Sequence, residues 1–361
     1  MIGQLAVVAG KVAFSLLVLL NFVMILTWAE RKQSALMQDR IGANRASIFG
    51  ITLLGLFHPI ADAIKMIAKE DFIPAGANRV VHTAAPFIAL FFALISFAAI
   101  PFGDQLLVGG RTVHLQVIDL NVGLLYMFAA MSVGVYGFVL AGWASNNNFS
   151  LLGSLRASSQ MISYEITIGA TVIGLVMVFG TINLQTIVQR QGELLFGFLP
   201  AWGVFYQPLG FLLFTTAALA ETKRAPFDLP EGESEIIGYF TEYSGMKFGM
   251  FLMTDFVETV VMAGLVVTLF FGGWQLPYLY RDGFHFPGAT SVPVTTHLVS
   301  ALQVLAFLGK LAIFCWLFLL VRWTLPRFRY DQLMRLGWQM MLPLSICNIL
   351  VTGLCILVLQ R

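Results

Sequence analysis

Charge is the first thing this sequence lacks. Asp, Glu, Lys and Arg make up only 11% of its 361 residues while 58% are hydrophobic, against roughly 25% charged in a soluble domain. A water-soluble globule is thereby excluded. The net charge of +2 is too balanced for a nucleic-acid binder, and the apolar content is too high for a disordered tail. Cysteine is nearly absent. Cys315, Cys347 and Cys355 lie in apolar runs without C-x-x-C spacing, which excludes a zinc or iron–sulfur site made by this chain alone. The five histidines are scattered, and none pair at mid-depth as a haem with two axial histidines requires. Any redox cofactor therefore belongs to a partner. Internal repeats are missing, which counts against the inverted-repeat transporters. The polar/apolar alternation of a membrane barrel is missing too.

What is present is a series of long apolar runs. Eight of them, at about 5–28, 82–102, 119–142, 159–180, 202–220, 248–271, 298–321 and 338–360, approach the roughly 20 residues a helix needs to cross a bilayer. They predict an all-α polytopic membrane protein forming a single membrane domain, since lipid leaves no other way to satisfy the backbone. The first run is longer than a signal-peptide core and continues into Glu30-Arg31-Lys32 without a small-residue cleavage site, so it reads as a true span.

Lys and Arg set the orientation. With both termini on the periplasmic side, the inside segments 29–81, 143–158, 221–247 and 322–337 carry 15 basic residues against 4 outside. Within the first inside segment, Ile51, Leu54, Phe57, Ile60, Ile64 and Ile67 recur at helical spacing, with Asp62, Lys65 and Lys69 on a different side. This predicts an interfacial amphipathic helix over about 48–69 on the cytoplasmic face, kinked or split at Pro59.

Ionisable residues inside a span each cost about 2.5–3.5 kcal/mol on insertion scales and so need a reason. Lys11 and Asp119 lie near span ends, where they can snorkel to the headgroups. Glu165, Asp255, Glu258 and Lys310 lie deeper. Asp255 and Glu258, at i and i+3, share one helix face, and Lys310 near mid-span should face a carboxylate or water. Buried ion pairs that fix helix packing are one reading. The other is a proton relay, favoured by three acids concentrated in the inner half of two spans. The segment after the fifth span mixes Lys223 and Arg224 with Glu221, Asp228, Glu231, Glu233, Glu235 and Glu242. Proline and aromatic residues are threaded among them, as in a shaped loop.

That segment, A-E-T-K-R-A-P-F-D-L-P-E-G-E-S-E over Ala220–Glu235, resembles the signature of the NADH dehydrogenase subunit 1 family, the H subunits of proton-pumping NADH:quinone oxidoreductase (respiratory complex I). Colinear blocks at Ala29–Arg45, Pro59–Asp71, Gly142–Glu165 and Pro326–Met334 look like the same family. The resemblance implies a membrane subunit that joins the two arms of the complex, builds much of a quinone chamber and starts the carboxylate path called the E-channel. It implies no cofactor on this chain, quinone as substrate, and iron–sulfur clusters and FMN in partner subunits. Implied partners are peripheral-arm iron–sulfur and quinone-site subunits, antiporter-like membrane subunits and membrane lipids, with no nucleic acid.

Carried over by residue, the resemblance gives Glu165, Glu221 and Glu242 to the proton path, and together with the intramembrane charges the path would comprise Glu165, Glu221, Glu242, Asp255, Glu258 and Lys310. The chamber and coupling loop would comprise Glu30, Arg31, Lys32, Asp62, Lys65, Arg224, Phe227, Asp228, Glu231, Glu233, Glu235 and Arg322. The sequence departs from the family's usual pattern at Asp255, where glutamate is common, and at Glu258, which that pattern lacks; the two are expected to share one relay role. It departs again around Ala43, Ala46-Ser47-Ile48 and His58, the last read as an interfacial histidine. Two other readings remain open at this stage: the homologous membrane subunit of an energy-converting hydrogenase or related dehydrogenase, and a stand-alone cation transporter.

Overall fold

The computed structural model describes residues 2–108, 111–195, 197–230, 232, 238–285 and 292–359. Within them the chain is a helical bundle: α1 (Ile2–Met37), α2 (His58–Ala68), α3 (Arg79–Ser96), α4 (Gly123–Ala144), α5 (Asn148–Phe179), α6 (Leu184–Arg190), α7 (Gly203–Tyr206), α8 (Pro208–Glu221), α9 (Gly245–Phe270), α10 (Thr296–Thr324), α11 (Tyr330–Arg335) and α12 (Leu342–Leu359). A π-helical stretch, Leu336–Met341, joins α11 to α12. Strands are confined to small antiparallel pairings in the connections, the longest being Gln105–Val108 with Arg111–His114.

Among the described residues seven helices are long and apolar enough to cross a membrane, and the chain is a multi-pass membrane protein. The fifth apolar run differs from the others. It breaks at Gln207, between α7 and α8, and α8 alone spans only about 21 Å at 1.5 Å per residue. The break is held by polar side chains: Gln207 donates to the Thr352 hydroxyl and accepts from Asn348 Nδ2 at 2.6 Å, both from α12.

Helix α9 is the axis of the bundle. Every residue from Thr254 to Phe270 is buried, and α1, α3, α8 and α10 all pack on it. A helix apolar on all sides belongs inside a larger protein core, and Val257, Val260, Val261, Leu265 and Val266 supply that core here. Against this background Asp255 and Glu258 are conspicuous, since both are buried.

The amphipathic helix is shorter than expected. Residues 48–57 form a bridge and a turn, with Leu53 and Leu54 at positive φ, and the helix begins only at His58. Pro59 therefore neither kinks nor splits a longer helix; it occupies the first turn, where its missing N–H costs nothing. Ile60, Ile64 and Ile67 keep their apolar face exposed.

Candidate functional site

The site grows from the way α8 ends. After Glu221 and Thr222 the chain enters the left-handed region at Lys223, with φ +53°, the conformation with which many helices terminate. Glycine is the usual occupant, and a side chain there costs about 1–2 kcal/mol. In return the lysine stem runs into the bundle, where it is fully buried. Its ammonium sits 3.1 Å from Asp255 Oδ1, 3.2 Å from Glu258 Oε2 and 3.3 Å above the ring of Phe138. The i, i+3 face of α9 read from the sequence thus meets a cation supplied by a neighbouring helix end.

Two residues earlier, Glu221 is almost completely buried, and neither carboxyl oxygen has a hydrogen-bond partner among the described residues. Its electrostatic neighbours are Glu165, Glu258 and Lys223. A buried carboxyl without a partner is costly in a dry interior, so such a group is set up to take a water or exchange a proton. Glu165, on α5, is hydrogen-bonded to the Ser132 hydroxyl of α4. The structure therefore gathers Glu221, Asp255 and Glu258 around Lys223, with Glu165 in electrostatic range.

A second cluster adjoins the first at the next residue. Arg224 donates to Glu30 Oε2 at 3.1 Å and lies 3.8 Å above the ring of Phe256, while Arg322 reaches Glu30 Oε1 at 2.6 Å. One carboxylate on α1 thereby ties together the ends of α1, α8 and α10. Arg31 pairs with Asp62 of α2, Lys32 with Asn44, and Lys65 is exposed on α2.

The loop after Arg224 is shaped, as its composition suggested. Phe227 is buried and stacks on Phe328 with ring centroids 5.4 Å apart, and Arg327 bridges to Asp228 at 3.0 Å. Burial pushes the Asp228 carboxyl above its ordinary range, against the opposing pull of Arg327 and Arg322. Gln160 of α5 staples the loop, donating to the carbonyls of Ala220 at 2.8 Å and Phe227 at 2.9 Å. Gln160→Leu would leave the Phe227 carbonyl without this donor, at a cost of about 1–3 kcal/mol, while Ala220 keeps the Lys223 N–H; the substitution is expected to lower the melting temperature of the solubilised protein clearly. An unchanged melting curve would contradict the staple.

Other expected site residues lie apart. Glu242 accepts from Asn147 Nδ2 at 2.7 Å and lines a cleft of about 340 Å³ with Pro74, Gly76 and Ser145–Phe149. Its backbone carbonyl meets His82, which stacks on Tyr243. Lys310 does not face a carboxylate as expected. Its ammonium donates to the carbonyls of Phe271, Gly273 and Gln275 at 2.6–3.0 Å, because the turn that ends α9 returns beside the middle of α10 and offers its unpaired carbonyls there. Glu231, Glu233 and Glu235 lie outside the described residues.

Sequence reasoning missed the central role of Lys223. The signal was charge balance: two acids on one face of an apolar helix demand a cation nearby, and Lys223 is the basic residue closest to the end of the preceding helix. Chemically, the arrangement is a line of acidic side chains with one buried ammonium among them. Such an arrangement can hold and pass protons; among the described residues no three His, Cys, Asp or Glu side chains are placed to hold one metal ion.

Residues 10–353 match the family model described as NADH dehydrogenase. The chain is 48% identical over 332 residues to an H subunit, the one numbered 1, of the NADH-quinone oxidoreductase of Cytophaga hutchinsonii, covering 92% of this chain and 91% of that one. It is 45% identical to the H subunit of the Thermomicrobium roseum NADH-quinone oxidoreductase, covering 97% and 96%. Against the H subunit of the Bdellovibrio bacteriovorus enzyme it is 40% identical, covering 98% and 97%.

Proposed function

This chain belongs to the NADH dehydrogenase family, among the H subunits of NADH-quinone oxidoreductase, and from that premise we propose that it couples quinone reduction to proton movement through the cluster around Lys223. The protein carries no redox group of its own in this reading. Electrons reach quinone from an iron–sulfur centre of a peripheral-arm partner, in a chamber bounded by Glu30, Arg31, Lys32, Asp62, Lys65, Phe227, Asp228 and Arg322, with Glu231, Glu233 and Glu235 in the same loop. The path from there runs through Glu221, Glu165, Asp255 and Glu258 toward antiporter-like subunits, with Glu242 beside the inner cleft. We assign eight crossings, α7 and α8 together making the fifth, and both termini to the periplasmic side. The relatives' names favour this reading over the hydrogenase and transporter alternatives.

The observation that carries the proposal is Glu221, a buried carboxyl with both oxygens unbonded among the described residues, in electrostatic range of Glu165, Glu258 and Lys223. A charge change in a poorly hydrated chamber is weakly screened, so the carboxyl without local partners responds to it most strongly. Lys310 takes no part in the path and serves instead as the cap of α9. Glu221→Gln in the intact complex is expected to reduce proton translocation coupled to NADH oxidation by at least about tenfold. Unaltered pumping in that variant would remove Glu221 from the path.

A further inference from the structure

We propose that Lys223 is the switching cation of this cluster: its ammonium exchanges between a seat on Asp255 and Glu258 and a seat at Glu221, and thereby decides which group holds the proton. The inference rests on the relay reading above and adds to it the element that moves.

Three observations carry it. The ammonium is shared by two carboxylates at nearly equal distances, 3.1 and 3.2 Å, so neither holds it exclusively. Two residues away, Glu221 offers two buried oxygens with no hydrogen-bond partner among the described residues, which makes a second seat within reach of a four-carbon stem. The ammonium also lies 3.3 Å above the face of Phe138, whose ring offers it a cation–π contact that depends on neither carboxylate. Among the described residues, the other charges acting on Glu221 or Glu258 are Glu165 on α5 and Arg224, the latter engaged with Glu30.

The charge count then dictates the sequence of events. With Lys223 on α9, both Asp255 and Glu258 are ionised and balanced in part by the ammonium, and Glu221 carries the proton. A change at the quinone side that ionises Glu221 draws the ammonium across. The α9 pair, now bare in a low-dielectric interior, takes up the proton that Glu221 releases; one of its carboxylates becomes a neutral acid while Glu221 becomes the anion. Lysine keeps its three protons throughout and acts as a carrier of charge. It is a positioning residue for the relay, not the proton donor.

A charge-compensated pair of variants in the intact membrane complex tests this. Lys223→Gln alone leaves two ionised acids on α9 and is expected to lower both the amount of assembled complex and pumping. Lys223→Gln with Glu258→Gln restores the net charge of the Lys223–Asp255–Glu258 group. The double variant is expected to assemble, yet protons moved per NADH oxidised should stay at least about fivefold below the unaltered complex. A double variant that pumps at the full ratio would overturn the switch and reduce Lys223 to a neutralising partner. Full pumping in Glu221→Gln would instead overturn the relay on which the switch depends. Should the double variant fail to assemble, redox-difference infrared spectra of the unaltered complex decide: labelling with ¹⁵N-lysine is expected to shift an ammonium band on quinone turnover, and spectra without that shift refute the exchange.

Discussion

Glu30→Ala is expected to disassemble the joint between α1, α8 and α10 and to cost the protein about 3 kcal/mol, within the range for breaking a buried pair. The alanine would remove the carboxylate that Arg224 and Arg322 share, and the two guanidiniums would then repel where they now meet it. Arg224 suffers most, since it is buried, with its guanidinium over the Phe256 ring. The measurement is the melting temperature and the amount of assembled complex in the membrane. Arg322→Ala provides the matched control: it keeps the Arg224–Glu30 pair, removes the more exposed arm, and should cost less than half as much. Equal losses for the two variants would show that Glu30 is not the shared centre.

The second large effect comes from a residue with no charge. Gly137 lies where α3 and α4 approach most closely, and a Cβ there would stand 2.7 Å from the Cβ and backbone nitrogen of Ala89 and 2.9 Å from the carbonyl oxygen of Ala85. Two of those atoms are backbone and cannot turn aside, so the helices must separate. Membrane helices lack a hydrophobic drive to associate and rely on such close packing. Gly137→Ala is therefore expected to cost about 3 kcal/mol, the upper end for overpacking. Gly134, one turn earlier, has as its nearest such neighbour the Cβ of Phe92 at 3.7 Å, an ordinary contact, and Gly134→Ala should stay within about 0.5 kcal/mol. Thermal denaturation of both variants side by side checks the pair; similar melting temperatures would show that the α3–α4 contact is not as tight as drawn.

The helices of this fold are readable because lipid makes length and apolarity nearly sufficient. Where the reading departs from the structure, a polar side chain or a proline has intervened. The fifth run looks continuous by hydropathy, yet Gln207 interrupts it because Thr352 and Asn348 of α12 await its amide. No periodicity in residues 202–220 contains that information. Pro59 reads as a kink because the apolar spacing continues upstream of it, whereas the positive φ values at Leu53 and Leu54 end any helix before it.

For the site, the i, i+3 spacing of Asp255 and Glu258 holds the relevant geometry, and the family motif points to Glu221 and Arg224. Lys223 reads as one more charge in a loop because its burial depends on a left-handed backbone that a lysine rarely adopts. Lys310 misleads for a related reason. A mid-span lysine is assumed to need a carboxylate, but a helix end brought to the same depth offers three carbonyls that serve as well.

The shared carboxylate of Glu30 also bears on how the chain is made. Its first partner, Arg224, is 194 residues further along, and Arg322 comes later still, so the ribosome delivers the anion long before either cation. Through much of synthesis Glu30 has neither arginine to close upon, although its neighbour Arg31 already has Asp62. The three-way joint closes only once α10 has been made, so a chain arrested earlier holds Glu30 with at most one of its two arginines.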